Sequence, residues 1–308
     1  VDEEMKVKTK DLLTINELSK HELLEIIENA IKLKKDLKKG ISKPLLKNKT
    51  LAMIFQKPST RTRVSFETGM FQMGGHALNL SADDLQLKRG ETIEDTAKTL
   101  SRYVDLIMAR VYSHDEVEIL AKNATVPVIN GLSDSFHPCQ ILADLMTIKE
   151  KKKKLSGLKI AWIGDGNNVC NSMIYGCAKV SIDINIATPK GYEPNLNIIK
   201  ESKKFIDIQL LGNPELAVKN ADVVVTDTFV SIHHQATDRA KDFLPYFQVN
   251  SNLMKKANHD AIFLHCLPAK RGQEVTSEVL DGPQSVIWDE AENRLHAQKA
   301  LMALLLQV

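Results

Sequence analysis

The sequence predicts an α/β protein of two doubly wound domains, each with a mainly parallel sheet flanked by helices. Three observations carry this expectation. Short apolar runs alternate with stretches of helical spacing, the pattern of strand–helix–strand units. The alternation closes with a helix over Ile141–Glu150 and restarts at the near-continuous apolar run Leu158–Ile163. A chain of 308 residues also exceeds one typical core, and suits two domains of about 150 residues each. The expected division is 1–135 and 136–290, with the terminal helix 291–308 packing back on the first domain.

Taken in order, Thr14-Ile15-Asn16-Glu17-Leu18-Ser19 starts a helical region. Its apolar positions Leu23, Leu24, Ile26, Ile27, Ala30, Ile31 and Leu33 fall on one side, and it ends near Gly40. Leu51–Phe55 reads as a short buried strand, and after Lys57-Pro58 a helix opens at Ser59 and runs to about Met73, where Gly74-Gly75 stops it. A strand over His76–Leu80, a polar loop Ser81–Gly90, a helix Glu91–Leu100, a strand Leu106–Tyr112, a helix through Val117–Ala121 and a strand Val126–Asn130 complete the first half. Pro138 suits the first turn of the helix that follows. In the second half, strands are expected at Leu158–Ile163, Ile182–Ala187, Ile206–Leu211, Ala221–Thr226, Ala261–His265 and Ser285–Trp288. A last helix is expected over Glu290–Leu305, with Asn293-Arg294 in its first turn.

Composition narrows the class. Hydrophobic residues at 43% and charged residues at 26% are those of an ordinary soluble globular protein. No apolar run approaches the roughly 20 residues that span a bilayer, and the acidic, lysine-bearing start Val1-Asp2-Glu3-Glu4-Met5-Lys6 has neither a signal nor a transit pattern. A cytoplasmic protein with no membrane partner is expected. Forty-one basic residues against 39 acidic ones leave a net charge of +2, which gives no argument for a nucleic-acid partner. Lys151 to Lys154 read as a solvated loop. The four cysteines, Cys139, Cys170, Cys177 and Cys266, lack paired spacing and suit reduced thiols, and no metal is expected.

Polar residues cluster where strands end. Lys57-Pro58-Ser59-Thr60-Arg61-Thr62-Arg63 places two hydroxyls and two guanidinium groups in the first turn of a helix. First-turn amides point outward unpaired, so anions bind there. One hydroxyl would serve as a cap, but two arginines oppose the helix dipole unless an anion compensates them. Arg110 stands alone in an apolar strand; an anion partner and a snorkelling strand end are both open readings. His137 precedes a helix just after a strand, where open α/β sheets gather ligands. Gly164-Asp165-Gly166-Asn167-Asn168-Val169 looks like a dinucleotide loop, but Val169 replaces the third glycine and two asparagines crowd the phosphate path. A nicotinamide-dependent oxidoreductase is therefore disfavoured, and no cofactor is expected. His233-His234 read as solvated loop residues, because adjacent side chains diverge.

In order and spacing, Ser59 to Arg63, Arg110, His137 to Gln140, Asn167-Asn168, Asp227 to Ser231, His265 to Pro268 and Asn293-Arg294 resemble the motifs of the aspartate/ornithine carbamoyltransferase family. The resemblance covers nearly the whole chain and is nearest to the ornithine-using branch. It implies two α/β domains joined by two interdomain helices, the first binding carbamoyl phosphate and the second L-ornithine, in a homotrimer with shared active sites. By this resemblance Ser59, Thr60, Arg61 and Thr62 hold the phosphate, and Gln86 reaches a neighbouring subunit's phosphate. Arg110, His137 and Thr62 face the carbonyl oxygen, Gln140 fixes the carbamoyl nitrogen, and Arg294 with the backbone at Cys266 and Leu267 closes the far side. Asn167, Asn168, Asp227, Ser231 and Ile232 match the ornithine contacts. Cys266, beside Asp227, is the implied acceptor of the amine proton, with the departing phosphate as competitor.

Two features bear on the amine. Cys139, where aspartate enzymes carry Thr, and the run His265-Cys266-Leu267-Pro268 favour ornithine. Against this, Ser231-Ile232-His233 stands where the family often has Ser-Met-Gly, and Lys88-Arg89 is closer to the lysine-bearing loop of aspartate enzymes. N-Acetylornithine, putrescine and aspartate are the competing amines; Asn167-Asn168 disfavour putrescine, which lacks α-carbon polar groups. A catalytically silent binding subunit is a further alternative, opposed by the retained Arg61, Arg110, His137, Gln140, Asp227 and Cys266.

Overall fold

The structure is a computed structural model that describes residues 9–81, 85, 90–230 and 237–308. The chain divides into two compact units, Val1–Leu142 with Arg294–Val308, and Ala143–Asn293.

In the first unit, Thr14 and Ser19 each form a capping box with the glutamate three residues on, opening a 3-10 turn at Ile15–Glu17 and α1 at Lys20–Lys38. There follow β1 (Thr50–Phe55), α2 (Thr60–Gln72), β2 (His76–Ser81), α3 (Ile93–Leu100), β3 (Leu106–Arg110), α4 (His114–Asn123), β4 (Val128–Leu132) and the start of α5 (Pro138–Lys152). The four strands form a parallel sheet in the order β2-β1-β3-β4. Strand order reverses between β1 and β3, whose last residues Phe55 and Arg110 are paired. That switch point leaves an open crevice at the carboxyl ends of both strands, and it lies directly before α2. One face of the sheet packs Ala52, Ile54, Ile107 and Ala109 against Ala97, Val117 and Leu120.

The second unit contains β5 (Lys159–Ile163), α6 (Asn168–Val180), β6 (Asp183–Ala187), α7 (Leu196–Ser202), β7 (Ile208–Leu211), α8 (Pro214–Val218), β8 (Val223–Thr226), a 3-10 turn at Thr237–Asp242, α9 (Ser251–Met254), β9 (Ile262–His265), α10 (Ser277–Leu280) and the start of α11 (Ile287–Leu305). Its parallel sheet runs β7-β6-β5-β8-β9. Here the order reverses between β5 and β8, so the Gly164 turn and Asp227 flank a second switch point. Phe229 stacks on Phe243 with ring centroids 4.5 Å apart, inside a core that includes Ala161, Ile163, Val224 and Phe263. Each such buried ring contributes about 1.5–3 kcal/mol relative to exposure.

Three local expectations change. Ser285–Trp288 is not a strand: Ser285 makes one bridge to Phe263, and α11 begins at Ile287. A short apolar run does not separate strand from buried helix; here the Val286 carbonyl accepts from Glu290 N at 2.9 Å, and Asp289 and Glu290 occupy the first turn, where acidic groups meet the positive helix end. Asn293-Arg294 consequently lie in the second turn of α11, not its first. Lys151 and Lys152 are not loop residues but the last turn of α5, with Lys151 paired to Asp289 at 2.8 Å and Lys152 to Asp260 at 2.9 Å. Helices α7 to α10, of 4 to 7 residues, are too short to show a period and were not anticipated. Among the described residues no helix is long and apolar enough to cross a membrane.

Candidate active site

The first unit gathers its polar side chains at the β1/β3 switch point. Ser59 caps α2, its Oγ accepting from Thr62 N at 3.4 Å. A capping hydroxyl spends a lone pair and keeps its O–H to donate. Thr62 is 1% exposed, and its Oγ1 receives Arg110 Nη1 at 3.4 Å and Arg294 Nη2 at 3.5 Å. Arg110 is half-buried at the end of β3, at a register shift between Ala109 and Arg110 in the pairing with β4. Such a bulge re-aims the side chain. Arg110 is thus a converging group, not a snorkelling one. Arg294 also donates to Gln140 Oε1 at 2.6 Å and to His137 Nε2 at 3.4 Å. Because a guanidinium only donates, His137 Nε2 is the acceptor in that contact.

His137 is buried in this ring of cations. Burial, then Arg294, Arg110 and Arg61, hold its imidazole well below the usual histidine range, so it is uncharged near neutral pH. Lys57, 8% exposed, lies 4.1 Å above the Tyr112 ring, and its ammonium is lowered by burial and by Arg110. Thr60 and Arg61 are exposed on the first turn of α2. Arg63 faces away from this group: its Nε bonds Glu67 Oε1 at 3.1 Å on the helix surface. Of the two first-turn arginines, one belongs to the cationic cluster and one to an ordinary i,i+4 pair. The cluster presents a hydroxyl-lined helix start with Arg61, Arg110 and Arg294 around it, the chemistry of a site for a small dianion.

The second unit has its own constellation. Asn167 caps α6, its Oδ1 accepting from Val169 N at 3.0 Å and Cys170 N at 3.2 Å, while its Nδ2 donates to Asp227 Oδ2 at 2.7 Å. Asp227 Oδ1 accepts from Thr228 N at 2.7 Å and from Cys266 Sγ at 3.1 Å. Burial, then Asp227 and Glu290, hold the Cys266 thiol well above its ordinary value. In this arrangement the thiol donates to Asp227. Leu267, at φ +57, donates its N–H to His265 Nδ1 at 2.9 Å, and His265 Nε2 lies 3.2 Å from Glu274 Oε1. Glu290 Oε2 accepts from His265 N at 2.9 Å.

Asp227, His265 and Cys266 bring ligand atoms within 4.8 Å of one another. Asp227 and Cys266 bond each other, while the two His265 nitrogens are engaged by Leu267 N and Glu274 Oε1. The dinucleotide resemblance of the Gly164 turn has a structural cause. A Cβ at Gly166 would lie 2.2 Å from Pro194 N, and one at Gly164, which has φ +119, would lie 2.8 Å from the Phe229 ring. Neither glycine serves phosphate approach, and Asn167 already takes two first-turn amides of α6.

Gln86, Ser231, Ile232 and His233 lie outside the described residues. Asn168, 8% exposed, is the first residue of α6 beside Asn167. Four buried charged residues near these groups were given no individual role by the sequence: Lys57, Asp165, Glu274 and Glu290. Lys57 and Asp165 have a clue, the first opening the Lys57–Arg63 stretch and the second lying two positions before Asn167 at a strand end.

The family model described as "Aspartate/ornithine carbamoyltransferase, carbamoyl-P binding domain" matches residues 10–150, and that for the "Asp/Orn binding domain" matches residues 156–305. The ornithine carbamoyltransferase of Cenarchaeum symbiosum is 61% identical over 302 residues, which is 98% of this chain and 99% of the relative. One from Pyrococcus furiosus named "Ornithine carbamoyltransferase, anabolic" is 55% identical over 304 residues, 96% of each chain. The solved ornithine carbamoyltransferase from Pyrococcus furiosus matches with a TM-score of 0.93 at 55% identity, covering 97% of this chain and 98% of that one. The Thermus thermophilus structure matches at 0.88 and 41% identity, covering 96% and 99%.

Proposed function

The chain belongs to the aspartate/ornithine carbamoyltransferase family, and we propose that it transfers the carbamoyl group of carbamoyl phosphate to the side-chain amine of L-ornithine, yielding L-citrulline and phosphate. The observation that carries this reading is the convergence of Arg110 and Arg294 on buried Thr62 beside an uncharged His137. Carbamoyl phosphate is a compact dianion, and Ser59, Thr60, Arg61 and Thr62 at the start of α2 hold its phosphate end. Arg110, His137 and Thr62 serve the carbonyl oxygen, where charge grows as the amine attacks; each preorganised donor there is worth about 3–4 kcal/mol. Being neutral, His137 adds a hydrogen bond without repelling the guanidinium groups. Gln140, already bonded to Arg294, orients the carbamoyl nitrogen.

Asn167, Asn168 and Asp227, with Ser231 and Ile232, bind ornithine. Asp227 draws the ammonium, and Cys266 supports that carboxylate as a donor. The attacking amine must shed a proton from a group with a solution pKa of about 10, and a thiol held protonated is a poor acceptor. The departing phosphate, which gains a negative charge as its bond to the carbamoyl carbon breaks, takes that role. The protein acts in the cytoplasm as a homotrimer in which Gln86 completes a neighbour's site, and in the direction of arginine biosynthesis, the anabolic sense named for the Pyrococcus furiosus relative.

Purified protein supplied with carbamoyl phosphate and L-ornithine is expected to release citrulline, measured colorimetrically. Turnover of aspartate or N-acetylornithine without citrulline would overturn the assignment of the amine.

A further inference from the structure

Behind the Asn167–Asp227 contact lies a closed circuit of side chains that the proposed reaction does not use. Asp165, 5% exposed, follows Gly164 at the end of β5, and its Oδ2 is held by Arg239 Nη2 at 2.6 Å. The Arg239 guanidinium lies 4.5 Å from the Tyr192 ring centroid and 5.8 Å from that of Phe243. The Tyr192 carbonyl accepts from Gly166 N at 2.8 Å, which returns the circuit to the turn it left. Residues 165 and 166 are thus bracketed, from carboxylate and from amide, by one arginine and the tyrosine it stacks on. Asn167 comes next, and its amide is the group that fixes Asp227 Oδ2.

We propose that Arg239 is a positioning residue for the ornithine end of the site, holding Asp165 so that the following turn keeps Asn167 aimed at Asp227. This role rests on the ornithine reading above. A buried carboxylate that loses its charged partner is left less compensated, and in the absence of Arg239, its one cationic partner among the described residues, it would either take up a proton or turn away. Both responses move the turn that carries Asn167. Both act at the turn that carries an ornithine-binding residue of the proposed reaction, so the expected effect is on the amine substrate.

The circuit has a pH signature. Burial pushes the Asp165 carboxyl up to about 6 against the opposing pull of Arg239, with Asp227 adding to the rise. Among the described residues, the charged and titratable groups facing it are Arg239 from the 3-10 turn, Asp227 after β8 and Cys170 on α6; Tyr192, stacked on Arg239, hydrogen-bonds Asp242. As pH falls through about 6, Asp165 becomes neutral and its hold on Arg239 weakens.

Kinetics and a spectroscopic titration test the role together. Arg239→Ala is expected to raise KM for L-ornithine about tenfold or more, the scale of a lost charge-assisted hydrogen bond, with KM for carbamoyl phosphate unchanged; Arg239→Lys is expected to recover part of the loss. The second readout needs no substrate. Of the two tryptophans, Trp162 donates its Nε1–H to the Asp165 carbonyl at 2.9 Å, whereas Trp288 is 67% exposed. In a Trp288→Phe background, Trp162 emission should titrate with a midpoint near pH 6, shift to higher pH with Arg239→Ala, and lose the transition with Asp165→Asn. Equal KM changes for both substrates, or an unchanged ornithine KM with an unmoved Trp162 midpoint, would overturn the role of Arg239 while citrulline formation by the parent protein left the function standing. A parent protein that forms no citrulline would overturn both.

Discussion

At half-buried Cys266 the thiol sits 3.1 Å from Asp227 Oδ1, with Glu290 adding a second negative influence. Both carboxylates disfavour a thiolate, so in the reaction proposed above the sulfur donates one hydrogen bond. Serine can make the same bond. Cys266→Ser is therefore expected to keep kcat within about tenfold, whereas loss of a general base commonly costs about 10²- to 10⁴-fold; steady-state rates at saturating ornithine decide it. The residue types were legible in the sequence, because the His265-Cys266-Leu267-Pro268 run is one of the ordered motifs that together resemble the family. The direction of its hydrogen bond was not, since that depends on Asp227, 39 positions away. Arg63 makes the same point in reverse. It looked like half of an anion site until Glu67 took its guanidinium on the outer face of α2.

The junction of β1 and α2 was the best-read element, because local signals suffice there. A continuous apolar run, a Pro-Ser turn and a capping hydroxyl all act within a few residues. The Ser59 side chain caps Thr62 N, and the proposed function gives it a second duty as a donor to phosphate; the two can be separated. Ser59→Gly is expected to cost only a few tenths of a kcal/mol in stability and Ser59→Ala about 1 kcal/mol, while both raise KM for carbamoyl phosphate alike. Thermal melts beside initial rates would check this, and a KM change that followed stability would leave the hydroxyl as a cap only. The start of α11 was misread for want of such signals. Val286-Ile287-Trp288 is apolar and β-prone, and its helical state is set by Phe263, which accepts one bridge and no more, and by Glu290.

For the molecule as a whole, both sheets show the same logic: a reversal of strand order opens a crevice, and chemistry-bearing residues follow the strands beside it. Phe55 and Arg110 flank one reversal, Ile163 and Thr226 the other. If sites are shared in a homotrimer, chains carrying Gln86→Ala and chains carrying Arg110→Met, each nearly inactive alone, should regain activity when dissociated and reassembled together, and light scattering should give three chains per particle. Mixed chains without recovery would place each site within one subunit. By itself the sequence determined the α/β class, the parallel alternation in two halves and the ordered motifs that mark the family, since strand, turn and cap signals are local and the motifs keep their spacing. The tertiary structure alone decided which charges meet. His137 is uncharged because burial, and then Arg294 and Arg110 brought from other elements, disfavour its cation, and Asp165 stays paired because Arg239 is stacked on Tyr192. Burial and long-range Coulomb interactions set these states, and neither is a property of neighbours along the chain.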